Sequence, residues 1–179
     1  MKNEQEDIEI IDLEEFAAQN MPIPKGKNYR FKVDNEVVVT KNQSMTAEEI
    51  LKVAGKDQKQ LYLLKKLKEK SFEILCFKEE VDFVNELGIE KFMTEPINNR
   101  VIVIILTTQG KWKVVEPKIT TIGALIQQII QHFGFAPNGH YELRLKSDPN
   151  RALDAALTLE KVGVEDCGIL IFTDLGMAA

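Results

Sequence analysis

The chain has 179 residues, with 28 acids against 23 bases and a formal net charge of −5. Seven of the acids and one base fall in residues 1–20, a net −6, so the other 159 residues carry only +1. A near-neutral body lacks the basic patch that general nucleic-acid binding requires, and the longest apolar run, residues 101–106, is far short of the roughly 20 residues that span a bilayer.

The start of the chain is acidic where a signal peptide is basic and then apolar. Cys76 and Cys167 lie 91 positions apart without the spacing of a zinc site, so no metal is expected. Reduced thiols and a cytoplasmic location are the simplest expectation. Residues 1–28 form an acidic leader, flexible or partner-bound, closed by Pro22, Pro24 and Gly26.

Residues 29–33 alternate apolar and polar, the period of a half-buried strand. Asp34-Asn35 is a turn pair and residues 36–40 are a β-branched run, so a hairpin is predicted. Thr46 and Glu49 form a capping box, with a helix following to Gly55. Residues 61–67 and 72–77 are two further strands, 81–84 a short turn or helix, and 89–93 a last strand.

A weak boundary at residues 95–99 precedes a second set. Residues 100–107 and 112–115 are strands around a Gln109-Gly110 turn. Thr120 or Thr121 caps a helix that buries Ile122, Leu125, Ile126, Ile129, Ile130 and Phe133 and ends at Gly134. Residues 140–146 are a strand, 148–150 a loop, 157–164 a turn-like segment and 168–173 a final strand. Strand, strand, helix, strand, short turn, strand, twice over, is the order of the β-grasp fold, in which a mixed sheet wraps one helix. The expected class is therefore α+β. It comprises two tandem β-grasp (ubiquitin-like) domains, residues 29–96 and 100–176, behind the leader, with residues 177–179 as an extension.

Several stretches resemble known families. Tyr29-Arg30-Phe31-Lys32-Val33-Asp34, the helix that ends Ile50-Leu51-Lys52-Val53-Ala54-Gly55, and the late Glu90-Lys91-Phe92 resemble the bacterial multiubiquitin domain. The stretch Leu157-Thr158-Leu159-Glu160-Lys161-Val162-Gly163-Val164, followed by Gly168-Ile169-Leu170-Ile171-Phe172, is similar to ubiquitin-like domains in general. The resemblance implies a protein modifier, not an enzyme. Such tandem domains occur in bacterial operons with an activating enzyme, a conjugating enzyme and a JAB-type metalloprotease, in systems linked with defence against phage. The resemblance further implies that the terminal glycine is adenylated, passed to a cysteine and joined to an amine of a target protein. ATP is used by the activating enzyme, so this chain needs no cofactor.

The carboxyl end reads Thr173-Asp174-Leu175-Gly176-Met177-Ala178-Ala179. On that resemblance, processing between Gly176 and Met177 leaves Gly176 as the conjugated residue, joined by an isopeptide bond. A residue without a side chain allows close approach to its backbone. With an extended tail, Gly176 reaches about 10 Å beyond Thr173, a tight fit for an enzyme cleft. The alternative class is a non-covalent adaptor or scaffold made of two ubiquitin-like modules. On the last strand, alternation turns Leu170 and Phe172 towards the helix. Ile169, Ile171 and Thr173 then face out, as a protein-binding patch or as a packing surface. In the leader, Ile8, Ile10, Ile11 and Leu13 lie among acids. This pattern resembles peptides that add a strand to a β-grasp sheet, with acids near bases. The edge they meet belongs to the same chain or to a second copy, which would give self-association. The competing reading of the leader is disorder, or a short helix capped by Asp12. No catalytic constellation stands out: His132 and His140 lie at a helix end and a strand start, and Cys76 sits in an apolar run.

Overall fold

The computed structural model describes residues 10–26, 28–68 and 72–176. The chain divides into two units, Met1–Ile97 and Asn98–Ala179.

The first unit opens with strand β1 (Ile10–Asp12) and helix α1 (Leu13–Gln19). The hairpin follows as β2 (Asn28–Val33) and β3 (Glu36–Thr40). Asp34 and Asn35 take φ 51° and 73° between them, the left-handed pair that a two-residue hairpin turn demands. Next come β4 (Ser44–Thr46), helix α2 (Ala47–Val53), β5 (Leu61–Leu67), β6 (Glu73–Leu75), β7 (Glu80–Asp82) and β8 (Ile89–Pro96). The sheet runs β3-β2-β8-β5-β6, while β4 and β7 form a separate small ladder. The predicted capping box is present: Glu49 N–H donates to Thr46 Oγ1 at 3.3 Å, and Thr46 N–H donates to Glu49 Oε2 at 2.8 Å. Under the sheet, Phe31 meets Phe83 and Phe92 at ring separations of 5.2 and 5.4 Å, among Ile50, Leu51, Leu63 and Ile89.

The second unit comprises β9 (Arg100–Thr107), β10 (Gly110–Pro117), helix α3 (Ile122–Phe133), β11 (Tyr141–Leu145), β12 (Asp148–Ala152) and β13 (Gly168–Asp174). Its sheet order is β10-β9-β13-β11-β12. Both units therefore share one plan: the first and last strands of the hairpin-helix-strand set lie side by side and parallel at the sheet centre. That is the β-grasp arrangement, and the fold class is α+β. Thr121, not Thr120, caps α3, accepting from Ala124 N–H at 3.2 Å, and Gly134 ends it at φ 73°. Leu159 and Val164 of the turn-like segment are buried under the sheet with Ile122, Leu125 and Leu170. The Leu159 N–H donates to Thr120 at 2.9 Å and ties the turn to the helix start.

Three local expectations are revised. Residues 148–150, expected as a loop, are strand β12; every one of its residues is exposed, so no apolar alternation marked it. The 81–84 segment is the end of β7 and a turn, with Asp82 accepting from Val84 N–H at 2.9 Å. Neither cysteine is a free thiol, which corrects the expectation of reduced residues. No helix among the described residues is long and apolar enough to cross a membrane.

The leader is the largest departure from a bare β-grasp fold. β1 pairs in parallel with β2, Ile10 to Asn28, Ile11 to Tyr29 and Asp12 to Arg30. Since β3 occupies one edge of β2 over residues 29–33, β1 and β8 share the other, and β8 meets β2 only at Val33↔Phe92. Ile11, Leu13, Ala17 and Ile23 are buried in the core. Ile11 lies over Gly26 so closely that any side chain there would collide with its Cδ1. The Asp12 carboxylate has two tasks. It caps α1 through Glu14 N–H at 2.9 Å, and it accepts from Arg30 Nε and Nη2 at 2.7 and 2.6 Å. Glu14 pairs with Lys32 two residues along β2.

Removing the cap and its Arg30 bond by Asp12→Ala is expected to lower stability by about 1–2 kcal/mol, and Leu13→Ala by about 2–5 kcal/mol. Denaturant unfolding measures both, and no loss in either variant would contradict the docked leader. A second expectation concerns Asp34. Burial pushes its carboxyl up, but hydrogen bonds from Thr94 N–H and Oγ1, both 2.7 Å, together with nearby Lys56, outweigh this and hold it below the usual range. A depressed carboxylate stabilises the fold above its ordinary titration range and loses that contribution as pH falls through its folded value. Asp34→Asn should therefore flatten the acid limb of a stability–pH profile; an unchanged slope would refute this.

Candidate functional site: the carboxyl-terminal strand

The last strand, β13, lies in the middle of the second sheet. It runs parallel to β9 from Gly168↔Val103 to Ile171↔Leu106, and antiparallel to β11 from Leu145↔Leu170 to Tyr141↔Asp174. Leu170 and Phe172 are buried in the core. Phe172 stacks on Tyr141 at 5.0 Å and packs against Phe135, also at 5.0 Å. The strand end is thus anchored by aromatic packing immediately before the tail.

Ile169, Ile171 and Thr173 alternate to the other face and are half-buried. Their cross-strand neighbours are Ile104 for Ile169, Leu106 and Arg144 for Ile171, and Glu142 for Thr173. The seam between β9 and β13 is therefore apolar. On β11, Arg144 Nη2 donates to Glu142 Oε2 at 2.8 Å and makes a polar margin.

Beyond β13 the tail does not run straight out. Leu175 N–H donates to the His140 carbonyl at 2.9 Å, and His140 N–H donates to the Gly176 carbonyl at 3.2 Å. Gly176 N–H donates to Asp174 Oδ1 at 2.8 Å. Gly176 sits at φ 84°, with nothing within 4 Å of where a side chain would begin. That backbone conformation is what glycine supplies at low cost. The extended reach past Thr173 is thus replaced by a short folded-back turn held by three hydrogen bonds. Leu175 is exposed.

His140 and Asp174 are the two residues that reading the sequence missed. His140 acts through its main chain, so its side-chain identity gave no signal. Asp174 did leave one: an Asp two residues before a glycine is a common turn pattern. Of the other predicted positions, Met177 and Ile8 lie outside the described residues. Ile10, Ile11 and Leu13 lie on the leader strand and helix of the first unit, with Ile10 turned to solvent and the other two buried. The strand and the Asp12-capped helix are consecutive, and Leu13, expected in the strand-addition motif, is the first residue of the helix. Among the described residues no group of three His, Cys, Asp or Glu is placed to hold a metal ion.

No family model matches the chain, and no curated protein matches it in sequence. Solved structures similar to it are ubiquitin-like. Ubiquitin of Caldiarchaeum subterraneum is 20% identical over 45% of this chain and 99% of its own, with a TM-score of 0.38. The EccD5 ubiquitin-like domain of Mycobacterium xenopi is 21% identical over 44% of this chain and 98% of its own, with a TM-score of 0.35. A protein designed on ubiquitin is 20% identical over 45% of this chain and 94% of its own, with a TM-score of 0.39. The β-grasp assignment rests on strand order and register within each unit.

Asp174→Ala removes the acceptor for Gly176 N–H from an exposed position. It is expected to leave unfolding unchanged to within about 0.5 kcal/mol while speeding amide exchange at Gly176. Equal exchange in the two proteins would show that the turn is held by something else.

Proposed function

We propose that the chain is a ubiquitin-like protein modifier. In this reading a JAB-type metalloprotease cuts between Gly176 and Met177. An activating enzyme then adenylates the Gly176 carboxylate with ATP, a cysteine thioester forms, and a conjugating enzyme transfers Gly176 to an amine of a target protein. The setting is a bacterial operon acting against phage. The proposed location is the cytoplasm, because the activating step consumes ATP; the cysteines, which are not free thiols, lend it no support.

One observation carries most of the reading: a glycine in open space two residues beyond the central strand of a β-grasp sheet. The central strand of such a sheet fixes where the carboxyl end emerges. The first unit has no equivalent end, because Glu95-Pro96-Ile97 runs straight on; it serves recognition or spacing. For enzymes to use Gly176, the two main-chain bonds to His140 must open. Each contributes about 1 kcal/mol, which binding in an enzyme cleft readily offsets.

Those same bonds favour a second reading, a non-covalent adaptor with two ubiquitin-like modules, in which the tail stays folded back. The half-buried Ile169, Ile171 and Thr173 face is the proposed protein contact in either case. Self-association through exchange of the leader strand is a further proposal; the buried Leu13 and Ile11 make the closed, single-chain form the favoured one.

The test is to incubate the chain with the cognate protease and weigh the product. The modifier reading expects loss of Met-Ala-Ala alone, blocked by Gly176→Val. Any other mass, or no cleavage, leaves the adaptor reading in place.

A further inference from the structure

The exposed edge of the first sheet differs from its counterpart in the second unit in a way that predicts a partner. Among the described residues β3 pairs with β2 alone, and β10 with β9 alone. Both are the second strands of two-residue hairpins, closed by Val33↔Glu36 and Thr107↔Gly110. The closing pair of such a hairpin is hydrogen-bonded, and the bonded pairs then alternate. So Glu36, Val38 and Thr40 bond to β2, while the N–H and C=O groups of Val37 and Val39 point away from the sheet. The same count along β10 turns out those of Lys111 and Lys113.

Sheet edges are ordinarily blunted by charge or proline. β10 carries Lys111, Lys113 and Pro117. β3 carries none of these along Val37-Val38-Val39, and Val37 and Val39 are 59% and 50% exposed. The edge is apolar, uncharged at its centre and open.

We propose that β3 is a docking edge for β3 of a second copy of this chain. A two-fold axis perpendicular to the sheet through Val38 gives an antiparallel pair with matched faces. Val37 then lies opposite the partner copy's Val39, and Glu36 opposite its Thr40. Val37 and Val39 of each copy exchange main-chain hydrogen bonds, four in all, and the four exposed valines form one patch. No like charges meet. The same operation on β10 sets Lys111 against Lys113, which like-charge repulsion disfavours. A two-fold contact also closes on itself, so the product is a dimer rather than a fibre. This inference stands whether or not Gly176 is conjugated.

Sedimentation equilibrium of the full chain over a concentration series tests it. The expected result is a reversible monomer–dimer equilibrium. Val37→Lys/Val39→Lys, which copies the lysine pattern of β10, should abolish the dimer and leave the circular dichroism spectrum unchanged; Asp12→Ala should leave the dimer intact. A monomer at every concentration, growth beyond a dimer, an unaffected dimer in the double-lysine variant, or loss of association in Asp12→Ala would each overturn the proposal. Hydrogen exchange of the unaltered chain decides independently if the variant misfolds. The Val37 and Val39 amides should gain protection with concentration, and exchange that is independent of concentration refutes the contact.

Discussion

A strand has two edges, and in the first unit three strands claim those of β2. β3 takes one edge whole. The other is divided: β8 holds only the Val33 end, and the leader strand β1 fills the rest. In the second unit no such division occurs, and β13 runs beside β9 from Gly168 to Ile171. Much of what distinguishes the two units follows from this sharing. In one, the central parallel pair is short and propped by added chain. In the other it is long and leads into the tail that folds back on His140.

The divided edge also explains the uneven charge. An acidic segment laid along β2 meets the bases that alternate on its surface, Arg30 and Lys32, through Asp12 and Glu14. Ion pairs near the surface, as these half-buried ones are, contribute little on their own, about 0–1 kcal/mol. The apolar anchors Ile11, Leu13, Ala17 and Ile23 supply most of the adhesion, and the charges set register. The acidic leader is in this sense a component of the first fold, and its net −6 does not describe a bare polyanionic tail.

Legibility tracked the range of the interactions. The caps at Thr46 and Gly134 are encoded within a few residues and lie where they were expected, and the α3 N-cap falls on Thr121, one of the two adjacent threonines that the sequence offered. The strand order came from repeated alternation, a local signal that two copies reinforced. β12 escaped notice because both its faces meet water and its ladder bonds are main-chain. The docked leader was half legible: the apolar-acidic run announced a strand, and Asp12 announced a helix, but the partner strand, β2 of the same unit, is fixed only by the folded ladder from Ile10↔Asn28 to Asp12↔Arg30. The turned-back tail depends on His140, over thirty residues away and acting through its backbone, so no spacing rule reveals it. The bonding state of the cysteines is likewise a property of the folded chain, not of their separation in sequence.

The central functional claim is that Gly176 is the reactive end of the second β-grasp unit. Mapping the covalent linkage tests it most directly. The chain is expressed with cognate activating and conjugating enzymes and the protease, adducts are digested, and the branched peptide is sequenced by mass spectrometry. The expected linkage is an amide between the Gly176 carbonyl and a target amine, with Met177, Ala178 and Ala179 gone. Adducts that retain those three residues, adducts joined through another position, or no adduct with all enzymes active would contradict it.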